Sequence, residues 1–153
     1  MRRFADWIGA LELAPAREAK ASEAVELVCD DSGNWKGHAF FLYEKNGWTV
    51  FNDMTGYMGG VSAQTWLRLS FNEDLTFMAY NDAIRYGELV IIEDCKLVRH
   101  FFEDSGSSNV NVDLGRLEFE ATDPIKSWME VASVVDEDEM GEEPSAGLLW
   151  VFR

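Results

Sequence analysis

His38-Ala39-Phe40-Phe41-Leu42-Tyr43-Glu44-Lys45, then Asn46-Gly47, then Trp48-Thr49-Val50-Phe51-Asn52, reads as an antiparallel β-hairpin. Both arms are rich in aromatic and β-branched residues, which suit a pleated, half-buried surface. Asn and Gly tolerate the positive φ angles of a type I′ turn, whose twist matches that of the flanking strands. A chain that spends this stretch on a hairpin is building an antiparallel sheet.

A second hairpin follows, with arms Glu88-Leu89-Val90-Ile91-Ile92-Glu93 and Lys96-Leu97-Val98-Arg99-His100-Phe101-Phe102 and a turn near Asp94-Cys95. Its apolar run is nearly continuous, which places it centrally in the sheet or under a helix. Leu75–Tyr80 and Ala24–Cys29 read as further strands. Leu148-Leu149-Trp150-Val151-Phe152 reads as a closing strand, entered through Pro144 and Gly147.

Helices are fewer. Asp123 precedes Pro124 at a first helical position, and Ile125, Trp128, Met129, Ala132 and Val135 then share one face at 3.6-residue spacing. Acids at a helix C-terminus oppose its dipole, so Asp136-Glu137-Asp138-Glu139-Met140-Gly141-Glu142-Glu143 is expected to leave as a loop. Ser62 is expected to cap a shorter helix through Gln64, Trp66, Leu67 and Leu69. Trp7, Ile8, Leu11 and Leu13 fit a helix or a strand equally, and Ala14–Ser22 reads as helix or connection. Glu103–Asn109 and 136–147 read as flexible stretches, neither long enough to separate domains. The expectation is one compact α+β domain over 1–153, a mainly antiparallel β-sheet with one or two covering helices and an acidic loop at 136–147.

Charge is the other strong signal. The chain carries 28 acidic against 13 Lys and Arg residues in 153, a net charge of −15. Residues 1–60 hold nine acids and six bases, whereas residues 61–153 hold nineteen and seven. The six acids of 136–143 supply less than half of the surplus, so the rest lies over the folded body. With 47% hydrophobic residues, six Trp and ten Phe, the composition argues for a packed core rather than disorder. Arg2 and Arg3 resemble a signal-peptide start, but Asp6 and Glu12 interrupt any apolar region after them. No window approaches a membrane span. Negative charge disfavours nucleic acid and anionic membranes as ligands, and a cytoplasmic location is the simplest expectation.

Catalytic and metal motifs are thin. His38 and His100 both fall inside expected strands, where an imidazole commonly serves the core. A Cys29–His38 or Cys95–His100 pair could generate a thiolate and its base, although no third orienting group is indicated. Cys95 is unusual because it occupies a tight turn that favours Gly or Asn. Four scattered Cys and His residues do not make a zinc site, and 136–143 lacks the D-x-D-x-D-G order of a calcium loop. Met54-Thr55-Gly56-Tyr57-Met58-Gly59-Gly60 is glycine-rich without the Lys and Ser/Thr of a phosphate loop, and reads as the turn entering the Ser62 helix. No metal and no cofactor are expected. Trp35, Trp48, Tyr57 and Tyr86 lie in or beside turns, as partner anchors or as caps of the core.

Tyr80-Asn81-Asp82, Tyr86-Gly87-Glu88-Leu89, Lys96-Leu97-Val98-Arg99 and Gly115-Arg116-Leu117-Glu118-Phe119-Glu120, followed by the Trp128 helix, resemble small acidic immunity proteins of bacterial polymorphic-toxin and secretion systems. The resemblance spans the C-terminal half and assigns no individual residue a role. It implies a non-enzymatic protein that binds a cognate toxin and blocks its active site or an essential surface, and the acidic surplus separately points to a basic protein partner. A distributed negative field would speed that encounter and suppress wrong partners. Candidate contacts are Glu103 and Asp104, with Asp136, Glu137, Asp138, Glu139, Glu142 and Glu143. Two alternatives stay open: a small enzyme using an unrecognised Cys/His or carboxylate site, and a generic interaction domain that forms a homodimer through strand edges.

Overall fold

In chain order the elements are β1 (Arg17–Ala19), α1 (Ala21–Val28), β2 (His38–Lys45), β3 (Trp48–Asp53), α2 (Ala63–Ser70), β4 (Leu75–Asn81), β5 (Tyr86–Glu93), β6 (Lys96–Asp104), β7 (Val110–Gly115) and β8 (Gly147–Phe152). Short 3-10 turns occupy Asp82–Ile84 and Glu118–Ala121. The computed structural model describes residues 17–105, 110–127, 129–131 and 147–152. The α+β class holds, and among the described residues the strands form two four-stranded antiparallel sheets in place of one. Contacts divide the chain into two compact units, Met1–Met58 with Glu142–Arg153, and Gly59–Gly141.

The first unit orders its strands β1-β8-β2-β3. Asn46 and Gly47 take φ of 52° and 84°, the positive angles a type I′ turn requires, and Lys45 pairs with Trp48 across it. β8 enters between β1 and β2, with Leu149 opposite Phe41 and Arg17. Gly147 is obligatory at that entry, because an added Cβ would stand 2.5 Å from the Leu42 carbonyl oxygen and 2.6 Å from Phe41 Cζ. Helix α1 buries Ala24 and Val28 against Ala19, Ala39, Phe41 and Leu149.

That helix corrects the strand expected over Ala24–Cys29. Ala21, Ala24, Leu27 and Val28 recur at helical spacing and face the core, while Glu26 and Val25 are exposed. A short apolar run fits both periods, and only the packing partner separates them. The Cys29 amide closes the last turn onto the Val25 carbonyl at 3.1 Å. The expectations for Trp7, Ile8, Leu11 and Leu13 lie outside the described residues.

The second unit is a meander, β4-β5-β6-β7. The Asp94-Cys95 turn has φ of 48° and 61°, so a cysteine does occupy a position that favours Gly or Asn. Central strand β5 is buried on both faces, as its apolar run requires. On one face Trp66 of α2 stacks on Phe77 with ring centroids 4.4 Å apart. On the other, Leu89 and Phe101 pack with Ile125 and Val131, and fully burying side chains of this size contributes roughly 1.5–3 kcal/mol each. Helix α2 starts where expected, with Ser62 Oγ accepting from the Thr65 amide at 3.3 Å.

Two local expectations change here. Glu103 and Asp104 belong to β6, paired with Asn111 and Val110 of β7, and not to a loop. The helix expected from Asp123 begins later. The Asp123 amide bonds to the Phe119 carbonyl, and the Ile125 amide to Glu120 Oε1 at 3.4 Å, which holds this stretch out of helical geometry. Helical structure at 129–131 starts instead from Ser127, whose carbonyl accepts from Glu130 N at 3.1 Å while Glu130 Oε2 accepts from the Ser127 amide. Trp128, Ala132 and Val135 lie outside the described residues.

Candidate functional site

Among the described residues of the Gly59–Gly141 unit, two carboxyl groups that the sequence would ordinarily leave in water are buried. Glu88, on the α2 face of β5, is fully buried. Its Oε2 accepts from the Gly60 amide at 2.9 Å and from the Tyr86 hydroxyl, and its Oε1 accepts from Trp66 Nε1 at 3.4 Å. His100 stands beside it, with Nε2 3.7 Å from Oε1, and neither ring nitrogen has a hydrogen-bond partner among the described residues. Burial of the phenol, then the adjacent Glu88 carboxylate, push Tyr86 far above its ordinary range, so its hydroxyl keeps the proton it donates. One side chain thereby ties helix α2, the Gly60 turn and β5 together. Gly60 meets this arrangement with φ of 73°, a conformation that glycine adopts without strain.

Glu120 is the second buried carboxylate, on the opposite face of the sheet. Arg99, wholly buried in β6, donates Nε and Nη2 to its two oxygens, both at 2.8 Å, as a bidentate pair. Arg99 Nη1 reaches Asp113 Oδ1 at 2.8 Å and the Leu114 carbonyl at 3.0 Å. The guanidinium also lies 5.6 Å from the Phe101 ring centre. Burial alone would raise the Glu120 pKa. The Leu117 amide, the Arg99 guanidinium and the Ile125 amide outweigh it and hold the carboxylate below its ordinary range. Asp113 is held low by the Arg116 bond first, against burial, and then by Arg99.

Exposed acids gather at one end of this sheet. The α2–β4 turn carries Glu73 and Asp74, Glu93 ends β5 opposite Lys96, and Asp94 opens the β5–β6 turn, all exposed. The turns are fastened to each other: the Asp94 amide donates to Asp74 Oδ1 at 3.1 Å and Cys95 Sγ to Asn72 Oδ1 at 3.3 Å. Phe71, 54% exposed, adjoins them at the end of α2. Residues 59–141 hold seventeen acids against six bases, and two of those bases, Arg99 and Arg116, are engaged with Glu120 or Asp113.

Of the candidate contacts read from sequence, Glu103 and Asp104 are half-buried at the far end of β6, with Glu103 Oε1 accepting from Ser105 Oγ at 2.6 Å. Asp136, Glu137, Asp138, Glu139, Glu142 and Glu143 lie outside the described residues. Trp35 and Trp48 are exposed at 47% and 50%. Tyr57 instead packs on His38 at 4.2 Å, and Tyr86 is drawn into the Glu88 cluster. The Cys95–His100 pair does not form, because Cys95 is exposed in its turn while His100 is buried beside Glu88. Sequence reasoning missed Glu88, Arg99 and Glu120. For Glu88 and Arg99 the available signal was a charged residue in a near-continuous apolar strand, which is rarely buried unless paired. Glu120 lies in the 3-10 turn Glu118–Ala121 and carried no such signal.

The Met54–Gly60 stretch is a turn, held by the Asp53 carboxylate, which accepts from the Thr55 amide at 3.2 Å and the Met58 amide at 2.7 Å. Among the described residues no group of three or more Cys, His, Asp or Glu could hold a metal ion, and no helix is long and apolar enough to cross a membrane. Comparison with protein-family models, curated proteins and solved structures yields no match.

Proposed function

We propose that this chain is a non-enzymatic bacterial binding protein that neutralises a cognate toxin in the cytoplasm, by occluding a basic surface on it. The observation that carries the reading is the charge of residues 59–141, seventeen acids to six bases, with Arg99 buried and spent on Glu120. Glu73, Asp74, Glu93 and Asp94 lie at or beside two turns that are bonded to each other, so their charge is presented on a braced scaffold. Such a field raises the encounter rate with a cationic partner and falls with salt. Phe71 beside them supplies an apolar contact of the kind that anchors interfaces. The resemblance to immunity proteins supports the same reading, and Glu103, Asp104 and the 136–143 run belong to it as further contacts.

The test is co-expression with the product of the neighbouring gene. The reading expects that product to be a basic toxin, co-purification of the two, and protection of the producing cell. Glu73→Lys with Glu93→Lys is expected to slow association roughly ten-fold at low salt and to flatten its salt dependence. A neighbour without toxicity, or toxicity that expression does not relieve, ends the proposal.

A further inference from the structure

We propose that residues 116–127 form a strap that lifts from the sheet as one unit while β4–β7 remain folded, with the Arg99–Glu120 pair as its latch. The strap crosses the face of the sheet that carries Arg99, Leu89 and Phe101. Only Glu120 and Ile125 of its twelve residues are buried. Its internal bonds are local: the Glu120 amide to the Leu117 carbonyl at 3.0 Å, and the Thr122 and Asp123 amides to the Phe119 carbonyl at 3.2 and 3.3 Å. The Leu117 and Ile125 amides are both satisfied by the Glu120 carboxylate, at 2.9 and 3.4 Å. Glu120 therefore organises the strap and anchors it with the same two oxygens.

An ionic latch differs from an apolar one in what opening costs. Lifting the strap returns Arg99 and Glu120 to water together, so the lost attraction is largely offset by rehydration of both charges. The Glu120 carboxylate, once hydrated, releases the Leu117 and Ile125 amides, so that the short turn between them opens in the same step. The apolar loss is small, because Ile125 is the strap's one buried apolar side chain. Few buried apolar contacts and a mostly exposed backbone are the marks of a segment that opens below the global unfolding energy. Sheet amides in β5 and β6, by contrast, are released only when the central strands separate.

Native-state hydrogen exchange of the whole chain, under conditions where closing outpaces exchange, tests this. Leu117, Glu120, Thr122, Asp123 and Ile125 amides are expected to share one opening equilibrium, with weaker denaturant dependence than β5 and β6 amides. Ile125→Ala is expected to speed strap and sheet amides alike, since it destabilises the closed state relative to both open forms. Ser62→Ala separates the cases: removing the α2 cap is expected to speed β5 and β6 amides about five-fold and leave the strap amides unchanged. Strap amides that accelerate in step with the sheet in Ser62→Ala would overturn the proposal, because the strap would then open only with the whole unit. Strap amides that exchange at the rate of an unstructured peptide would overturn it equally, since no latch would exist.

Discussion

Glu88→Leu is the most informative single substitution in this chain. The carboxylate is fully buried and accepts from Gly60 N, Tyr86 Oη and Trp66 Nε1. Leucine keeps the volume and removes every acceptor. Gly60 is exposed and Tyr86 half-buried, so water replaces much of what their amide and hydroxyl lose. Trp66 is 3% exposed, and its indole N–H would be stranded at a cost of about 1–3 kcal/mol. With the bonds to Gly60 and Tyr86 at about 1 kcal/mol each, and a partial gain from the apolar replacement, the net loss comes to roughly 2–3 kcal/mol. Urea unfolding followed by circular dichroism should show the midpoint falling by about 1–2 M with an unchanged slope. Trp66→Phe in the Glu88→Leu background then removes the stranded donor, so the double variant should be about 1 kcal/mol more stable than additivity allows. A Glu88→Leu protein within about 0.5 kcal/mol of the parent, or an additive cycle, would refute the view that Glu88 braces helix α2 to the sheet.

Further outcomes are specific. Gly115→Ala should cost about 3 kcal/mol or more, because its Cβ would lie 2.0 Å from the Val98 carbonyl oxygen at φ of 70°. Gly47→Ala, with open space and φ of 84°, should cost only about 1 kcal/mol, and thermal melts of the two variants check the ranking. Glu120 is held below its ordinary value of 4.5, so its share of stability is complete above that pH and is lost as pH falls through the lowered folded value. Acid titration of Glu120→Gln should accordingly show a flatter acid limb than the parent. Cys95 is exposed and Cys29 half-buried, so iodoacetamide followed by mass spectrometry should find Cys95 modified first in the native protein.

Both central hairpins were legible because their signals are short-range. Asn46-Gly47 specifies its turn within two residues, and Ser62 specifies a helix start within four. Helix α1 was not legible as a helix, since Ala24-Val25-Glu26-Leu27-Val28 satisfies either period until Ala39, Phe41 and Leu149 are placed against it. Strand β7 carried an alternating signal, Val110, Val112 and Leu114 between Asn111 and Asp113, that went unread beside a Gly- and Ser-rich stretch. The helix expected from Asp123 starts later because Glu120 captures the Ile125 amide and moves the helix start to Ser127, a contact on no local pattern. Of the acidic candidates, Glu103 and Asp104 moved from loop to strand once β7 supplied their partner.

By itself, the amino-acid sequence determined the α+β class, the two hairpins with their turns, the α2 cap and the lopsided charge, because each depends on residues adjacent along the chain. Tertiary structure alone decided that the strands divide between two sheets, that Glu88 and Glu120 leave water, and that Arg99 spends its charge internally. The bidentate pair joins residues twenty-one positions apart on different elements. Burial of a charge is favourable only when its partner arrives in the right geometry, and that geometry exists only after the sheet has formed.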